Sequence, residues 1–553
     1  MEKPITNDDE KTVAQVLVEG LKQEGVKAIF GIPGEETIDL MFAIRDSGIR
    51  FILTRHEQGA AFMADVYGRL TGKAGVCLST LGPGATNLMT GVADAFLDGA
   101  PLVAITGQVE TERMQLTSHQ YLDLTSMFAP ITKRSKQIIT PDTTGEIVRL
   151  AFKYAQSEKP GSTHIDVPKD IAHTKTSARP LKQHHADPEY APARSILEAA
   201  ELIRTAQRPV ILAGNVVVRA HAVNALRRFV DGLHIPCANT MMAKGILPSD
   251  SPYNLWTLGI PQRDYVNEAF DQADLVIAVG YDLVECAPLK WHSNPETKII
   301  NIGVRPADIN RNFQPETEVI GDISYSLDHI MDIIDAKPEP HWIEPIRQQM
   351  RNEEDELASD SSYPMKPARI LRDLKNLLDK NDIVLSDVGA HKMWVARHYH
   401  PEEPNTCLIS NGFASMGFSI PGAISAKLLH PEQKVVAVCG DGGFMMNSQE
   451  LETALREHLP IVILIWQDDQ YGLIDWKEKE RYGESCYVSF SNPDFKKYAE
   501  AMGCKGYHAG SEEELIASLK DAFQQDVPSV ITVKVDYSEN MKLSAHLREA
   551  LKK

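Results

Sequence analysis

The 553-residue sequence predicts three α/β domains, each built on a doubly wound parallel sheet. Short apolar strands alternate with amphipathic helices, an order typical of parallel sheets with helices on both faces. Two polar stretches, 174–193 and 337–364, separate three such blocks of similar size. A length of about 150 residues per domain allows roughly three or four domains. We place the domains at 1–175, 194–336 and 365–540, followed by a C-terminal tail at 541–553.

The predicted strands divide among the three blocks. They lie at 27–30, 50–53, 75–78 and 102–105 in the first block, at 209–212, 275–278 and 298–301 in the second, and at 383–385, 434–438, 461–465 and 529–533 in the third. In the first block helices are predicted to begin at Glu36, Gly59 and Ala85. The first and third blocks could share a fold. In such sheets the functional groups lie at the carboxyl ends of the strands.

Composition and charge narrow the possible functions. Lys and Arg number 57 against 76 Asp and Glu, a formal net charge of −19, which argues against nucleic acid or an anionic membrane as partner. The seven cysteines are scattered without a CxxC pair, as expected for reduced thiols. The polar start does not resemble a signal peptide, and no apolar run reaches the roughly 20 residues of a membrane helix. We therefore expect a cytoplasmic protein that binds neither nucleic acid nor membrane.

The most informative segment is GDGG at 440–443, which follows the predicted strand 434–438. Glycines here let backbone N–H groups approach a phosphate, while the carboxylate of Asp441 stays available for a cation. The next strand, 461–465, leads to Asp468, so both carboxylates should reach the same edge of the sheet. Oxygen ligands of this kind suit Mg²⁺ bridging a diphosphate. Either segment alone is more simply a tight turn or a solvated loop, and the spacing between them favours the site.

This pattern resembles the diphosphate motif of thiamine-diphosphate enzymes, in which a second oxygen ligand follows the Asp of GDG after 27 residues. The family usually has Asn where this chain has Asp468. The resemblance implies Asp441, Asp468 and the carbonyl of Gln470 as metal ligands. It also implies a second diphosphate loop at VGAH and a Met, within NGFASMG, that supports the bent cofactor. The implied cofactor-binding residues in this part of the chain are Val388, Gly389, Ala390, His391, Met416, Gly440, Gly442, Gly443, Tyr471, Gly472, Leu473 and Ile474.

An activating glutamate is implied in the first block. In this family a buried Glu protonates the aminopyrimidine ring, and the resulting imino group takes the C2 proton of the thiazolium. The run RHEQGAA at 55–61 matches that segment and gives the role to Glu57; alone, it would be a helix N-terminus with a favourable acid. Positions that match the pyrimidine pocket are Thr80, Pro83 and Asn87. By the resemblance Glu57 and Asp441 come from different subunits, so we expect a homo-oligomer, dimer or tetramer, with its active site between subunits.

Over nearly the whole chain, the sequence is most similar to the acetolactate synthase family. Fragments such as FGIPG, RHEQGAAFMAD and GDGGFMMNSQELETA carry this similarity. It implies decarboxylation of pyruvate and carboligation of the hydroxyethyl carbanion to a second 2-oxoacid, giving 2-acetolactate. Gln120 matches a Gln that contacts the reacting adduct, and Lys169 matches a Lys near the substrate entrance. A surface amide and a lysine at the start of a helix explain these two residues equally well.

Two departures place the chain within that family. The flavin-bearing biosynthetic enzymes have Arg-Phe-Asp-Asp-Arg in the middle domain, where this chain reads YDLVE at 281–285. This resembles the flavin-free catabolic type, so FAD is not expected. The segment 471–477 is closer to the biosynthetic sequences, and its Trp476 is more simply a packed aromatic than a specificity residue.

A 2-oxoacid decarboxylase or another thiamine-diphosphate carboligase is the main alternative. Decarboxylases of the pyruvate type carry paired histidines where this chain has His119-Gln120, and a proton-donating Glu where it has Ile474. The only His-His pair, at 184–185, lies in the predicted linker. A catalytically inactive regulatory homologue is a further alternative. Retention of the activating Glu and of both predicted metal ligands argues against it.

Overall fold

The computed structural model contains three α/β domains. It describes residues 10–183, 189–259, 264–292 and 294–540. In these residues each domain has one six-stranded sheet whose neighbouring strands are all parallel, which confirms the predicted fold class. The His-His pair and the predicted tail at 541–553 lie outside the described residues. None of the described helices combines the length and apolar composition needed to cross a bilayer.

Domain I carries a two-stranded addition beside its main sheet. Its strands are β1 (Lys11–Thr12), β2 (Ala28–Gly31), β3 (Arg50–Leu53), β4 (Gly75–Ser79), β5 (Leu102–Gln108), β6 (Ser135–Gln137), β7 (Ser162–Pro168) and β8 (Lys175–Thr176). Its helices are α1 (Val13–Gln23), α2 (Ile38–Ser47), α3 (Glu57–Thr71), α4 (Pro83–Asp98), α5 (Leu124–Phe128), α6 (Thr144–Gln156) and α7 (Lys169–His173). The sheet order is β3-β2-β4-β5-β7-β6. Because β1 pairs with β8, the predicted linker 174–193 begins with a strand.

Domain II extends further along the chain than the sequence indicated. Its strands are β9 (Pro209–Ala213), β10 (Cys237–Asn239), β11 (Asn254–Thr257), β12 (Leu275–Val279), β13 (Lys298–Gly303) and β14 (Thr317–Ile320). Its helices are α8 (Ala193–Thr205), α9 (Val216–Arg219), α10 (Val223–Leu233), α11 (Tyr265–Gln272), α12 (Ile323–Met331) and α13 (Glu344–Ser359). The sheet order is β11-β10-β9-β12-β13-β14. Helix α13 lies in the stretch predicted as a boundary, and its Ile346 packs in the domain II core.

Domain III repeats the topology of domain I. Its strands are β15 (Ile383–Ser386), β16 (Cys407–Ile409), β17 (Val435–Gly440), β18 (Val462–Gln467), β19 (Lys505–Ala509) and β20 (Ser529–Lys534). Its helices are α14 (Pro367–Lys375), α15 (Ala390–His398), α16 (Ser419–Leu429), α17 (Asp441–Asn447), α18 (Glu450–Arg456), α19 (Gly472–Tyr482), α20 (Phe495–Ala501) and α21 (Glu512–Ala522). The order β16-β15-β17-β18-β20-β19 is that of domain I when strands are counted from the first of each sheet. The expectation that these two blocks share a fold is confirmed.

Strand burial explains only part of what the sequence revealed, since the edge strand β3 was predicted and the buried strand β7 was missed. Strands β17 and β18 are buried along almost their whole length, as expected for parallel strands covered on both faces. Their continuous apolar runs were therefore visible in the sequence. Strand β19 lies at the edge of its sheet and exposes Lys505 and His508, so it lacks such a run and was missed.

A buried arginine joins domains I and III. Arg69 on α3 donates from Nε to Asp65 (2.8 Å), forms an ion pair with Asp98, and lies 3.7 Å from Asp94. The three carboxylates belong to α3 and α4, and all are buried. Arg69 also donates to the carbonyl of Ile409 at the end of β16 (2.8 Å). One cation therefore compensates three buried acids and anchors domain III to helices of domain I.

We expect Arg69→Met to lower the free energy of unfolding by about 3–5 kcal/mol, because it leaves buried carboxylates without their cation. Urea denaturation followed by circular dichroism measures the change. Arg194→Met is the matched control, since Arg194 pairs with Glu198 on the surface and its side chain is 89% exposed. The control should unfold at the same urea concentration as the unaltered protein. Equal losses in the two variants would contradict the prediction.

Candidate active site

A cavity of about 330 Å³ opens at the carboxyl edge of the domain III sheet. It lies between the ends of β15 and β17, where the strand order reverses and where open α/β sheets bind ligands. Its lining residues are Val388, Gly389, Ala390, His391, Ala414, Met416, Gly440, Asp441, Gly442, Gly443, Met446, Asp468, Gln470, Tyr471, Gly472, Leu473, Ile474 and Tyr537. Every cofactor or metal residue predicted in the third block is among them. Ala414, Met446 and Tyr537 were not predicted.

The GDGG segment is the start of a helix rather than the tight turn that was weighed for it. Strand β17 ends at Gly440, and α17 begins at the next residue. A Cβ at Gly442 would lie 2.9 Å from the ring of Tyr471, and one at Gly443 would lie 2.9 Å from the carboxylate of Asp387. Glycine is needed at both positions because neighbouring side chains already occupy this space. Without side chains at these two positions, the backbone of Gly442 and Gly443 itself lines the cavity.

Two carboxylates meet beside the cavity. Asp441 is buried and accepts the backbone N–H groups of Asp468 (3.2 Å) and Asp469 (2.7 Å) on Oδ2. The same oxygen accepts the amide of Asn492 (2.8 Å). Asp468 Oδ2 is buried and has no hydrogen-bond partner in the described part of the chain. Burial, reinforced by the charge of Asp441, raises the pKa of Asp468 to about 8.

This pair fits a divalent cation bound together with a phosphate. A buried carboxylate oxygen without a donor, beside a second carboxylate, is favourable only when a cation or a proton compensates it. Within the described ranges no group of three His, Cys, Asp or Glu side chains is arranged to hold a metal. A cation held by Asp441 and Asp468 would therefore need ligands other than a third side chain of these types. The carbonyl of Gln470, at the cavity wall, accepts the N–H of Gly472 at 3.0 Å.

His391 closes another side of the cavity as a neutral ring. It is buried, and burial lowers its pKa to about 3. Its Nε2 has no partner among the residues described. A Cβ at Gly389 would lie 2.7 Å from the His391 ring. Glycine at 389 therefore lets the loop after β15 fold over the imidazole.

A second group of predicted residues lies at the carboxyl edge of domain I. Glu57 is the first residue of α3 and is 8% exposed, and its Oε2 accepts the amide of Asn87 at 3.0 Å. A Cβ at Gly84 would lie 3.0 Å from Thr80 Cγ2 and 3.2 Å from Glu57 Oε1. Helix α4 begins at Pro83, so its first turn passes between these side chains. The structure thus brings the predicted pyrimidine-pocket residues together around Glu57.

Gln120 and Lys169 lie at the same edge. Gln120 has a positive φ of 58°, and a Cβ at Gly82 would lie 3.0 Å from its Cβ, so Gln120 packs against the start of α4. Lys169 is the first residue of α7, and its Nζ lies 2.7 Å from Oε1 of Glu35. Hydrogen bonding to Glu35 raises the pKa of Lys169. Lys169 therefore forms an ion pair with Glu35, and its side chain is partly exposed to solvent.

Within one chain the two groups stay apart. The cavity in domain III has no lining residue from domain I, so Glu57 does not face Asp441 across it. The domains nevertheless touch elsewhere: Glu450 on α18 accepts the backbone N–H groups of Arg55 (3.1 Å) and His56 (3.0 Å). Burial raises the pKa of Glu450 to about 7. Sequence reasoning missed this anchor of the Glu57 segment, because its partners are 395 and 394 residues away.

A buried carboxylate lies at the corresponding edge of domain II. Its strand order reverses between β9 and β12, the usual place for a dinucleotide. There the buried carboxylate of Glu285 accepts the N–H of Asn215 at 3.0 Å and the hydroxyl of Thr240. Burial raises the pKa of Glu285 to about 7. The Glu285 carboxylate thus accepts the hydrogen bond from the N–H of Asn215, which follows β9. In a dinucleotide site this N–H would face a phosphate.

Comparisons with known proteins agree with this architecture. Three models of thiamine pyrophosphate enzyme domains match: the N-terminal TPP binding domain at 11–127, the central domain at 196–330 and the C-terminal TPP binding domain at 387–533. An acetolactate synthase of Bacillus subtilis is 36% identical over 96% of this chain and 94% of its own length. The catabolic acetolactate synthase of Raoultella terrigena is 34% identical over 99% of both chains. The chain belongs to the acetolactate synthase family of thiamine-diphosphate enzymes.

Membership of this family confirms that the chain is an enzyme and that thiamine diphosphate is its cofactor. The family also includes the large subunit of acetolactate synthase isozyme 2 of Escherichia coli, 33% identical over 96% of both chains. The segment 471–477 lines the cavity with its first four residues, whereas Trp476 is buried in the domain III core. A packed aromatic is thus the better description of Trp476.

We expect Gly472→Ala to weaken binding of thiamine diphosphate with Mg²⁺ by about tenfold or more, since small displacements in a site cost this much. A Cβ at this position would lie 2.3 Å from Asp468 Oδ2 and would push the carboxylate away. Tryptophan fluorescence during titration of the apoprotein measures the affinity. Gly303→Ala is the control, because its Cβ would meet its nearest atom at an ordinary 3.4 Å. Unchanged affinity in Gly472→Ala would contradict the placement of the metal at Asp468.

Proposed function

We propose that this enzyme is an acetolactate synthase that converts two molecules of pyruvate into 2-acetolactate and CO₂, with uptake of one proton. The observation that carries the proposal is the cavity lined by Asp441 and Asp468, in a chain that also retains Glu57 on the edge of domain I. Full-length similarity to proteins named acetolactate synthase supports the choice of reaction.

The residues of domain III hold the diphosphate end of the cofactor in this proposal. Asp441, Asp468 and the carbonyl of Gln470 would hold Mg²⁺, which would supply positive charge for the diphosphate. Loss of the proton from Asp468 accompanies metal binding, since the cation favours the charged carboxylate. The apolar side chain of Met416, at the cavity wall, supports the cofactor from one side.

Glu57 is the proposed proton carrier. When bound, thiamine diphosphate supplies a thiazolium carbon that accepts the electrons released as pyruvate loses CO₂. Glu57 exchanges a proton with the pyrimidine ring, and its near-complete burial keeps water away from that exchange. The amide of Asn87 fixes Oε2, which leaves Oε1 for the proton.

The residues at the cavity mouth favour joining a second pyruvate over releasing acetaldehyde. Ile474 stands where pyruvate-type decarboxylases have a proton-donating Glu, and it lines the cavity with an apolar side chain. Slow protonation at this place gives the second 2-oxoacid time to react. Gln120 is proposed to contact the reacting groups, and Lys169 to attract the substrate carboxylate once it leaves Glu35.

We also propose that the active enzyme is a homo-oligomer, at least a dimer. Glu57 and Asp441 must act on one cofactor, yet they lie on separate edges of the same chain. A two-fold arrangement brings the domain I edge of each subunit to the cavity of its partner. A cytoplasmic location is proposed from the composition and the reduced cysteines.

FAD is proposed to be absent. The donor after β9 and the hydroxyl of Thr240 are both taken by the carboxylate of Glu285, which would also repel a phosphate. The flavin pyrophosphate would have to displace this side chain. A flavin absorption band in the purified protein would overturn this part of the proposal.

Incubation with pyruvate, thiamine diphosphate and Mg²⁺ should give mainly 2-acetolactate, identified by chromatography. Acetaldehyde as the main product would reject the ligase in favour of the decarboxylase. Glu57→Gln should lower kcat by about 10²- to 10⁴-fold, the usual contribution of a positioned proton carrier. Its affinity for the cofactor should stay within a factor of about three. Glu112→Gln, on the exposed surface of domain I, is the control and should keep full activity.

Subunit complementation tests the shared site. Glu57→Gln and Asp441→Ala chains, each inactive alone, are co-expressed with different tags, and the doubly tagged hybrid is purified. Its dimers should recover about half of the unaltered activity, because one of the two sites is then intact. A hybrid as inactive as its parents would mean that both residues act within one subunit.

A further inference from the structure

Asp387 lies at the junction of three segments that line the cavity. It directly follows β15, and its side chain is 1% exposed. Oδ1 accepts the N–H of Val388 at 2.8 Å and the N–H of Gly417 at 2.9 Å. Oδ2 accepts the N–H and the hydroxyl of Ser419, at 3.0 and 2.9 Å. A Cβ at Gly443 would lie 2.9 Å from Oδ1, so the GDGG segment packs directly against this carboxylate.

The Met416 segment is held by this carboxylate on its C-terminal side. Gly417 has a φ of +85°, and a Cβ there would lie 2.7 Å from Nδ2 of Asn447, so glycine is needed. Its N–H bonds to Asp387, while its carbonyl accepts the amide of the buried Asn447 at 2.8 Å. The residue after Met416 is thus fixed through both of its backbone groups. These bonds therefore help to fix the position of Met416 at the cavity wall.

Hydrogen bonds and helix ends compensate the charge of Asp387. Burial raises its pKa, and the four bonds from Ser419, Val388 and Gly417 oppose that rise. Among the described residues no lysine, arginine or histidine forms an ion pair with it. The carboxylate of Asp387 contacts Ser419, the first residue of α16, where the helix dipole favours an anion. The carboxylate therefore depends on the same backbone N–H groups whose positions it fixes.

We propose that Asp387 is a positioning residue of the cofactor site. One carboxylate fixes the diphosphate loop at 388–391, the support at Met416 and the first turn of α17 relative to one another. The inference rests on the proposed function only in that the bound molecule is thiamine diphosphate. Cofactor affinity and turnover at saturating cofactor then both depend on Asp387, although this residue does not line the cavity.

Asp387→Asn keeps the size of the side chain and replaces one acceptor oxygen by an amide donor. Two of the four bonds then lose their acceptor. We expect the dissociation constant for thiamine diphosphate, measured by fluorescence at fixed Mg²⁺, to rise at least about tenfold. We also expect kcat at saturating cofactor to fall by a similar factor, because Met416 is no longer held in place. A smaller effect in the same direction is expected for Ser419→Ala, which removes one bond.

Asp382→Asn is the matched control. Asp382 lies just before β15, at the other end of that strand, is 6% exposed, and accepts the N–H groups of Asp379 (2.8 Å) and Lys434 (2.9 Å). It should lose thermal stability without a change in cofactor affinity or kcat. Normal affinity and kcat in Asp387→Asn, or equal losses in Asp382→Asn, would overturn the proposal. If Asp387→Asn does not fold, normal affinity in Ser419→Ala overturns it.

The binding measurement separates this inference from the proposed function. Fluorescence titration needs no turnover, so it reports on Asp387 even if pyruvate is not the substrate. Absence of acetolactate from the unaltered enzyme would reject the proposed function alone. Normal cofactor binding by Asp387→Asn, with acetolactate formed by the unaltered enzyme, would reject the positioning role alone.

Discussion

The active site depends on the parallel pairing of β15, β17 and β18. Because neighbouring strands run in the same direction, their carboxyl ends reach one edge, and the loops that follow must share the space there. Asp441 and Asp468, far from each other in the chain, become neighbours through this pairing. The cost is a pair of buried carboxylates: burial, reinforced by the charge of Asp441, raises the pKa of Asp468. A cation at the proposed metal site would stabilise both carboxylates, so the strand pairing that makes the fold also favours a cation there.

The excess of acidic residues is compatible with an anionic cofactor and substrate. A net charge of −19 governs solubility and long-range association, whereas binding is decided within a few ångströms. At the domain III edge, backbone N–H groups, the proposed cation and the thiazolium of the cofactor would supply positive charge. At the domain II edge Glu285 takes the equivalent donors for itself.

The sequence was sufficient where a functional residue follows an apolar strand. The GDGG segment and Asp468 could be predicted from the residues alone, because both follow buried parallel strands with clear apolar runs whose ends meet at one edge. The residues at 388–391 and 470–474 were predicted only from the resemblance to thiamine-diphosphate enzymes. The edge strand β19 was missed because its exposed positions dilute the apolar pattern. The roles of Asp387 and Glu450 were also missed. Their partners are fixed by how loops and domains return in space: Gly417 lies 30 residues from Asp387, and Arg55 lies 395 residues from Glu450.

The contacts between domains I and III within one chain have a consequence for the shared site. Arg69 and Glu450 hold the two domains together through buried charges and backbone bonds. Each subunit thereby presents Glu57 and the Asp441 cavity in a fixed relative orientation. A partner related by two-fold symmetry can then complete both sites at once, because aligning one pair of edges aligns the other. In the proposed homo-oligomer, rigidity within each chain would therefore place Glu57 accurately against the cofactor held by the partner subunit.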